Sequence, residues 1–97
     1  MRVYTDSYNF LNEKQSADNI RKQAEDYERK GEYVDAKRYY FEAAKKYKYV
    51  AEQIRSLGYV EMLYNTIVYR VEDLNMEYEY CTMQVKAITQ LQFGIIL

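Results

Sequence analysis

Apolar positions recur along this chain in steps of three and four, the spacing of one face of an α-helix. Phe10, Ala17, Ile20, Ala24 and Tyr27 form the first such stripe. Tyr33, Ala36, Tyr40, Ala43, Tyr47, Val50, Ile54 and Leu57 form the second. The third runs through Leu63, Ile67, Val71, Leu74, Tyr78, Cys81, Val85 and Ile88, and from Ile67 onward its steps alternate 4 and 3 as in a coiled-coil heptad. These stripes predict helices over about residues 8–30, 33–57 and 59–92. Gly31 and Gly58 stand where the first two should end, because glycine accepts the left-handed conformation that closes a helix. Asp6 or Ser7 is a candidate N-cap near Tyr8, and Ser16 offers a later start near Ala17.

The expected fold is all-α: one domain over 1–97, a three-helix antiparallel bundle with a long third helix. At about 1.5 Å per residue that third helix would run roughly 50 Å, more than the first can cover. It must bend near Asp73-Leu74-Asn75 or pair its distal part with another copy. Thr66-Ile67-Val68-Tyr69 has local strand propensity through its branched residues, but the surrounding stripe and the lack of a glycine turn favour helix. Residues 1–6 and 94–97 read as flexible ends, and the apolar Ile95-Ile96-Leu97 can pack back on the bundle or lie in a dimer seam.

Composition supports helices and narrows the chemistry. There is no proline to interrupt them among the 97 residues. No histidine occurs and Cys81 is the only cysteine, so neither a His/Cys zinc site nor a His-dependent catalytic triad can form within the chain. The three glycines are scattered, which excludes a glycine-rich phosphate loop. No catalytic residue, metal ligand or cofactor is expected. A reducing, cytoplasmic setting fits the lone cysteine and the absence of an apolar leader in Met1–Asp6. High charge and abundant tyrosine fit a heat-tolerant source.

The net charge is only -1, yet the charges are unevenly placed. Residues 34–48 carry Lys37, Arg38, Lys45, Lys46 and Lys48 against Asp35 and Glu42, while residues 61–80 carry Glu61, Glu72, Asp73, Glu77 and Glu79 against Arg70. The 13 tyrosines have rings to bury and hydroxyls to keep at a wet edge, which suits both core margins and interfaces.

One stretch carries a more specific pattern. Ile20, Ala24, Tyr27, Gly31, Ala36, Tyr40 and Ala43 describe two antiparallel helices packed small against large across a tight turn. These residues resemble the tetratricopeptide repeat, with Ile20 at its first aromatic position and Lys48 in place of its final proline. A second copy 34 residues on would begin at Ile54 and fails beyond Gly58. The stretch is more similar to the first hairpin of MIT (microtubule-interacting and trafficking) domains, which add a third helix to one such hairpin.

That resemblance implies a peptide-binding adaptor for short tails of ESCRT-III-like membrane-remodelling proteins, seated in a groove beside the third helix. Met62, Tyr64, Tyr69, Met76, Tyr80 and Met83 are then the candidate contacts on the third segment, with Lys37, Lys45 and Lys48 facing an acidic partner. Two other readings remain open. A structural homodimer or assembly would use the distal third helix. A nucleic-acid surface would use Lys45-Lys46-Tyr47-Lys48-Tyr49, a short mix of cations and aromatics.

Overall fold

The computed structural model describes residues 6–94, so the apolar tail at 95–97 and residues 1–5 lie outside the described part. Three helices carry the fold: α1 at Asn12–Arg29, α2 at Tyr33–Ser56 and α3 at Val71–Gln92. A 3-10 turn over Asp6–Leu11 leads into α1. The helical start thus falls near the earlier of the two expected sites, and no side chain caps the α1 N-terminus.

The first two helices end alike. Glu32 N–H donates to Tyr27 C=O at 2.9 Å and Gly31 N–H to Glu28 C=O at 3.0 Å. After α2, Tyr59 N–H reaches Ile54 C=O at 3.3 Å and Gly58 N–H reaches Arg55 C=O at 2.9 Å. This paired closure satisfies terminal carbonyls only if the residue after the cap takes a positive φ. Gly31 at 77° and Gly58 at 85° do so.

Between α2 and α3 the structure departs from the all-α expectation. Residues 59–70 are not helix. Glu61–Tyr64 forms β1 and Ile67–Arg70 forms β2, an antiparallel hairpin with Met62 opposite Tyr69 and Glu61 opposite Arg70. Asn65 and Thr66 make the two-residue turn with φ of 51° and 62°. Positive φ at both central positions is the turn whose twist matches paired strands. The branched Ile67 and Val68 favour the extended state, and the hairpin buries Met62, Tyr64 and Tyr69 on one face. Leu63 and Ile67 therefore leave the expected third-helix stripe: Leu63 is half-buried on the opposite strand face and Ile67 is exposed. The long third helix is replaced by a shorter α3, which removes the mismatch in length that a bend at Asp73–Asn75 was to solve.

The second stripe is observed almost as drawn. Ala36, Tyr40, Ala43, Tyr47, Val50 and Ile54 are buried, as are Ala44 and Ala51 beside them, whereas Leu57 sits exposed at the helix end. On α3, Val71, Leu74, Cys81 and Ile88 are buried and Tyr78 and Val85 pack against them. α2 is the central element, since both α1 and α3 pack extensively on it while their own backbones scarcely approach. The result is an elongated layer, 48 × 23 × 16 Å. The hairpin closes the end where α2 stops and α3 begins, with Val71 N–H bonded to Val60 C=O at 2.9 Å.

Long polar side chains bridge α1 and α3. Arg21 Nε lies 3.5 Å from Glu77, Tyr80 hydroxyl donates to Glu25 at 3.1 Å and Gln84 reaches Glu28 at 3.4 Å. Two tyrosines of α2 form the floor of this seam. Tyr40 hydroxyl donates to Glu28 at 2.7 Å; Tyr47 hydroxyl donates to Asp18 and accepts from Arg21 Nε at 3.2 Å. Burial first, then the neighbouring carboxylates, raise both phenols above their ordinary range. Burial works against the Arg21 charge, but Tyr47, Glu77 and Glu25 together outweigh it and hold the guanidinium more firmly protonated.

Candidate protein-binding surface

α2 turns Val34, Lys37, Arg38, Phe41, Lys45 and Lys48 to one side, because these positions repeat in helical steps of three and four. Against α3 this side opens a groove of about 330 Å³, lined by Val34, Lys37, Arg38 and Phe41 from α2 and by Val85 and Thr89 from α3. Val34 is 69% and Phe41 54% exposed, so the apolar floor is uncovered. Cations lie along it. Lys45 Nζ sits 5.3 Å from the Phe41 ring centre, and Lys48 Nζ sits 5.5 Å from that of Tyr78. Arg38 is held by Asp35 at 3.0 Å and Lys45 by Glu42 at 3.4 Å. These pairs are exposed and weak, so a partner carboxylate can replace them.

The sequence-derived contacts divide into two groups. Met76 and Met83 lie on the outer side of α3 and are exposed, whereas Tyr80 keeps only part of its ring exposed and is engaged by Tyr40 and Glu25. Lys37, Lys45 and Lys48 flank the α2–α3 groove. Met62, Tyr64 and Tyr69 are not on a helix surface: the hairpin folds them into the core, with the rings of Tyr64 and Tyr69 6.5 Å apart, so none of the three offers a surface to a partner. Lys46 is also drawn away, lying 3.3 Å from Glu13 of α1. Tyr47 is buried, which separates the aromatic from the cations in the Lys45–Tyr49 stretch. Val34 and Phe41 were missed as contacts. Their seven-residue separation among lysines is the signal that finds them.

The hairpin residues fare differently. Ala24, Ala36, Tyr40 and Ala43 are buried at the α1–α2 contact, with Ile20 and Tyr27 packed at its margin. Tyr27 meets Tyr39 edge to face at 5.1 Å. The heptad offered as a dimer seam is occupied within one copy, since Val71 to Ile88 face α2.

A larger cleft of about 600 Å³ lies between Arg55, Val60, Glu61, Arg70 and Met76. Within it Arg70 pairs with Glu61 at 3.5 Å, and outside it with Asp73 at 3.9 Å. Glu72, Asn75 and Glu79 of α3 also line it. Cys81 is a buried thiol on the inner α3 stripe, pushed up to about 12 by burial and by Glu77. That makes it a poor nucleophile. Among the described residues no cluster of three or more potential metal ligands occurs, and no helix is long and apolar enough to cross a membrane.

A scan against protein-family models gives no match, and neither a curated protein nor a solved structure matches the chain. What stands is a small, mostly helical unit of three helices and a β-hairpin.

Proposed function

We propose that this chain is a non-catalytic protein-interaction module whose α2–α3 groove receives an acidic amphipathic segment. The observation that carries this reading is the groove itself: an apolar floor of exposed Val34 and Phe41 and half-buried Val85 beside Lys37, Arg38, Lys45 and Lys48. Helix-in-groove recognition uses such a floor for affinity and rim charges for orientation. Capture of ESCRT-III-like tails is the narrower form of the proposal, supported by the α1–α2 hairpin resemblance.

Titration of isotope-labelled protein with acidic amphipathic peptides, C-terminal tails of ESCRT-III-like proteins among them, tests both levels. Saturable NMR shifts at Val34, Lys37, Phe41 and Val85 are expected, weakened by salt and by Lys37→Glu. Binding of unrelated acidic helices but not of such tails keeps the general reading and removes the narrower one. Absence of shifts with every acidic peptide refutes both.

A further inference from the structure

The inner stripe of α3 accounts for only one of its faces. Met76, Met83, Ala87 and Leu91 recur in steps of 7, 4 and 4, which sets them on the side turned away from α2, while Tyr80 between them leans inward, its ring 6.1 Å from that of Tyr40. Met76 is 62%, Met83 66% and Leu91 60% exposed, and nothing in the described chain covers them. α3 is thus apolar on two opposed sides, unlike an ordinary surface helix. Carboxylates flank the first part of the outer stripe, with Glu72 and Glu79 on one side and Asp73 and Glu77 on the other, and exposed Lys86 follows further along the Glu79 side. Asp73 is shared with Arg70 and Glu77 with Arg21, while Glu72 and Glu79 make none of the ion pairs found among the described residues.

We propose that the occupant of the α2–α3 groove is a second copy of this chain, which inserts the outer face of its own α3. This rests on the groove reading above and names its partner. Three observations favour it. The signs are opposite, a lysine-lined groove against a glutamate-flanked stripe, which steers and orients association. The lengths agree: at about 1.5 Å per residue, the cation-bearing side of α2 from Val34 to Lys48, of which the groove takes the first half, spans about 21 Å, and Met76 to Leu91 about 22 Å. The two surfaces also point in different directions on one molecule, because the α3 side opposite α2 cannot reach the groove that α2 helps to form. They therefore meet only between copies. Since the two surfaces differ, the contact is heterologous, and repetition gives a head-to-tail chain or a ring. The methionines suit such a contact, as their flexible side chains fill an irregular groove.

The test is a complementation of masses in solution with the full chain. Wild-type protein, followed by sedimentation velocity from micromolar to millimolar concentration, should grow in mass with concentration and shrink toward the monomer in high salt. Phe41→Asp spoils the groove and Met83→Asp spoils the α3 face. Each alone should remain monomeric. Mixed in equal amounts they should form a dimer and nothing larger, because one intact groove meets one intact α3 face and both remaining surfaces are spoiled.

Both positions are exposed, and circular dichroism confirms that each variant folds. Lys45→Glu and Glu79→Lys provide a second route: each should weaken assembly by about tenfold, the scale of one well-placed charge pair, and the double variant should recover it. Wild-type protein that stays monomeric at millimolar concentration overturns the proposal. So does assembly that the mixed variants cannot restore, which is the mark of a symmetric contact. A monomer that still binds acidic peptides in the groove refutes the self-partner alone. A monomer that binds none refutes the groove reading as well.

Discussion

Replacing Thr66 by glycine should stabilise this protein although it removes contacts. Thr66 has φ of 62° in the hairpin turn, and its neighbour Asn65 has 51°. Asparagine tolerates that region, but a β-branched residue there is a steric outlier. The left-handed conformation costs an ordinary L-residue about 1–2 kcal/mol. Glycine escapes this cost, yet its freer unfolded chain takes back about 0.4–1 kcal/mol. The hydroxyl of Thr66 donates to Asn65 C=O at 2.5 Å in an exposed place, so its loss matters little.

A net gain of about 0.5–1 kcal/mol should therefore remain for Thr66→Gly, raising the melting temperature by about 2–8 °C in a chain of this size. The hairpin unfolds with the rest because Met62, Tyr64 and Tyr69 are buried in the common core. Thermal unfolding followed by circular dichroism measures the shift. Asn65→Gly should gain distinctly less. An unchanged or lower melting temperature for Thr66→Gly, or equal gains at both positions, would refute the reasoning.

Further outcomes follow from the core and the seam. Met62→Ala should cost about 2–5 kcal/mol in urea unfolding, as expected for emptying a fully buried methionine site. Tyr47→Phe keeps the packing but removes hydrogen bonds to Asp18 and Arg21. Because both charged partners keep some access to water, a loss of about 1–2 kcal/mol is expected, and a double-mutant cycle with Asp18→Asn should show coupling. Cys81 has its thiol raised from 9.0 to about 12, so the fold holds the proton that the unfolded chain releases. Its contribution is complete below pH 9 and disappears as pH rises toward 12, with Tyr40 and Tyr47 adding to the loss above pH 10. Denaturant titrations across that range should show the decline, and thiol reagents near neutral pH should label Cys81 only after unfolding.

The helices were legible because their signals are local and repeated. Ala36, Tyr40, Ala43 and Tyr47 mark the buried face of α2 by spacing alone, and Gly31 and Gly58 mark two ends by their backbone freedom. The β-hairpin was hidden for a physical reason. Leu63, Ile67 and Val71 are spaced by four, so a helix and a pair of four-residue strands compete for the same letters. The turn carries Asn65-Thr66 and not asparagine-glycine, which withholds the usual sign.

The candidate surface was partly visible for the same reason as the core. Met76 and Met83 fall between the heptad positions of α3, so their exposure follows once the inner stripe is drawn. Met62, Tyr64 and Tyr69 followed the misread segment into the wrong environment. The seam was not readable, because pairing Tyr47 with Asp18, or Arg21 with Glu77, requires helices distant in sequence to be set side by side.

The unequal neighbours of the three helices have a consequence for how the molecule comes apart. α1 leans on α2 through apolar packing, but its links to α3 are polar bridges whose groups water can satisfy in turn. A helix fastened along one edge detaches at lower free energy than the whole molecule melts. Amide exchange should then register α1 as a separate, earlier-opening unit, with the buried stretch of α2 around Ala43 and Tyr47 surrendering its hydrogens last.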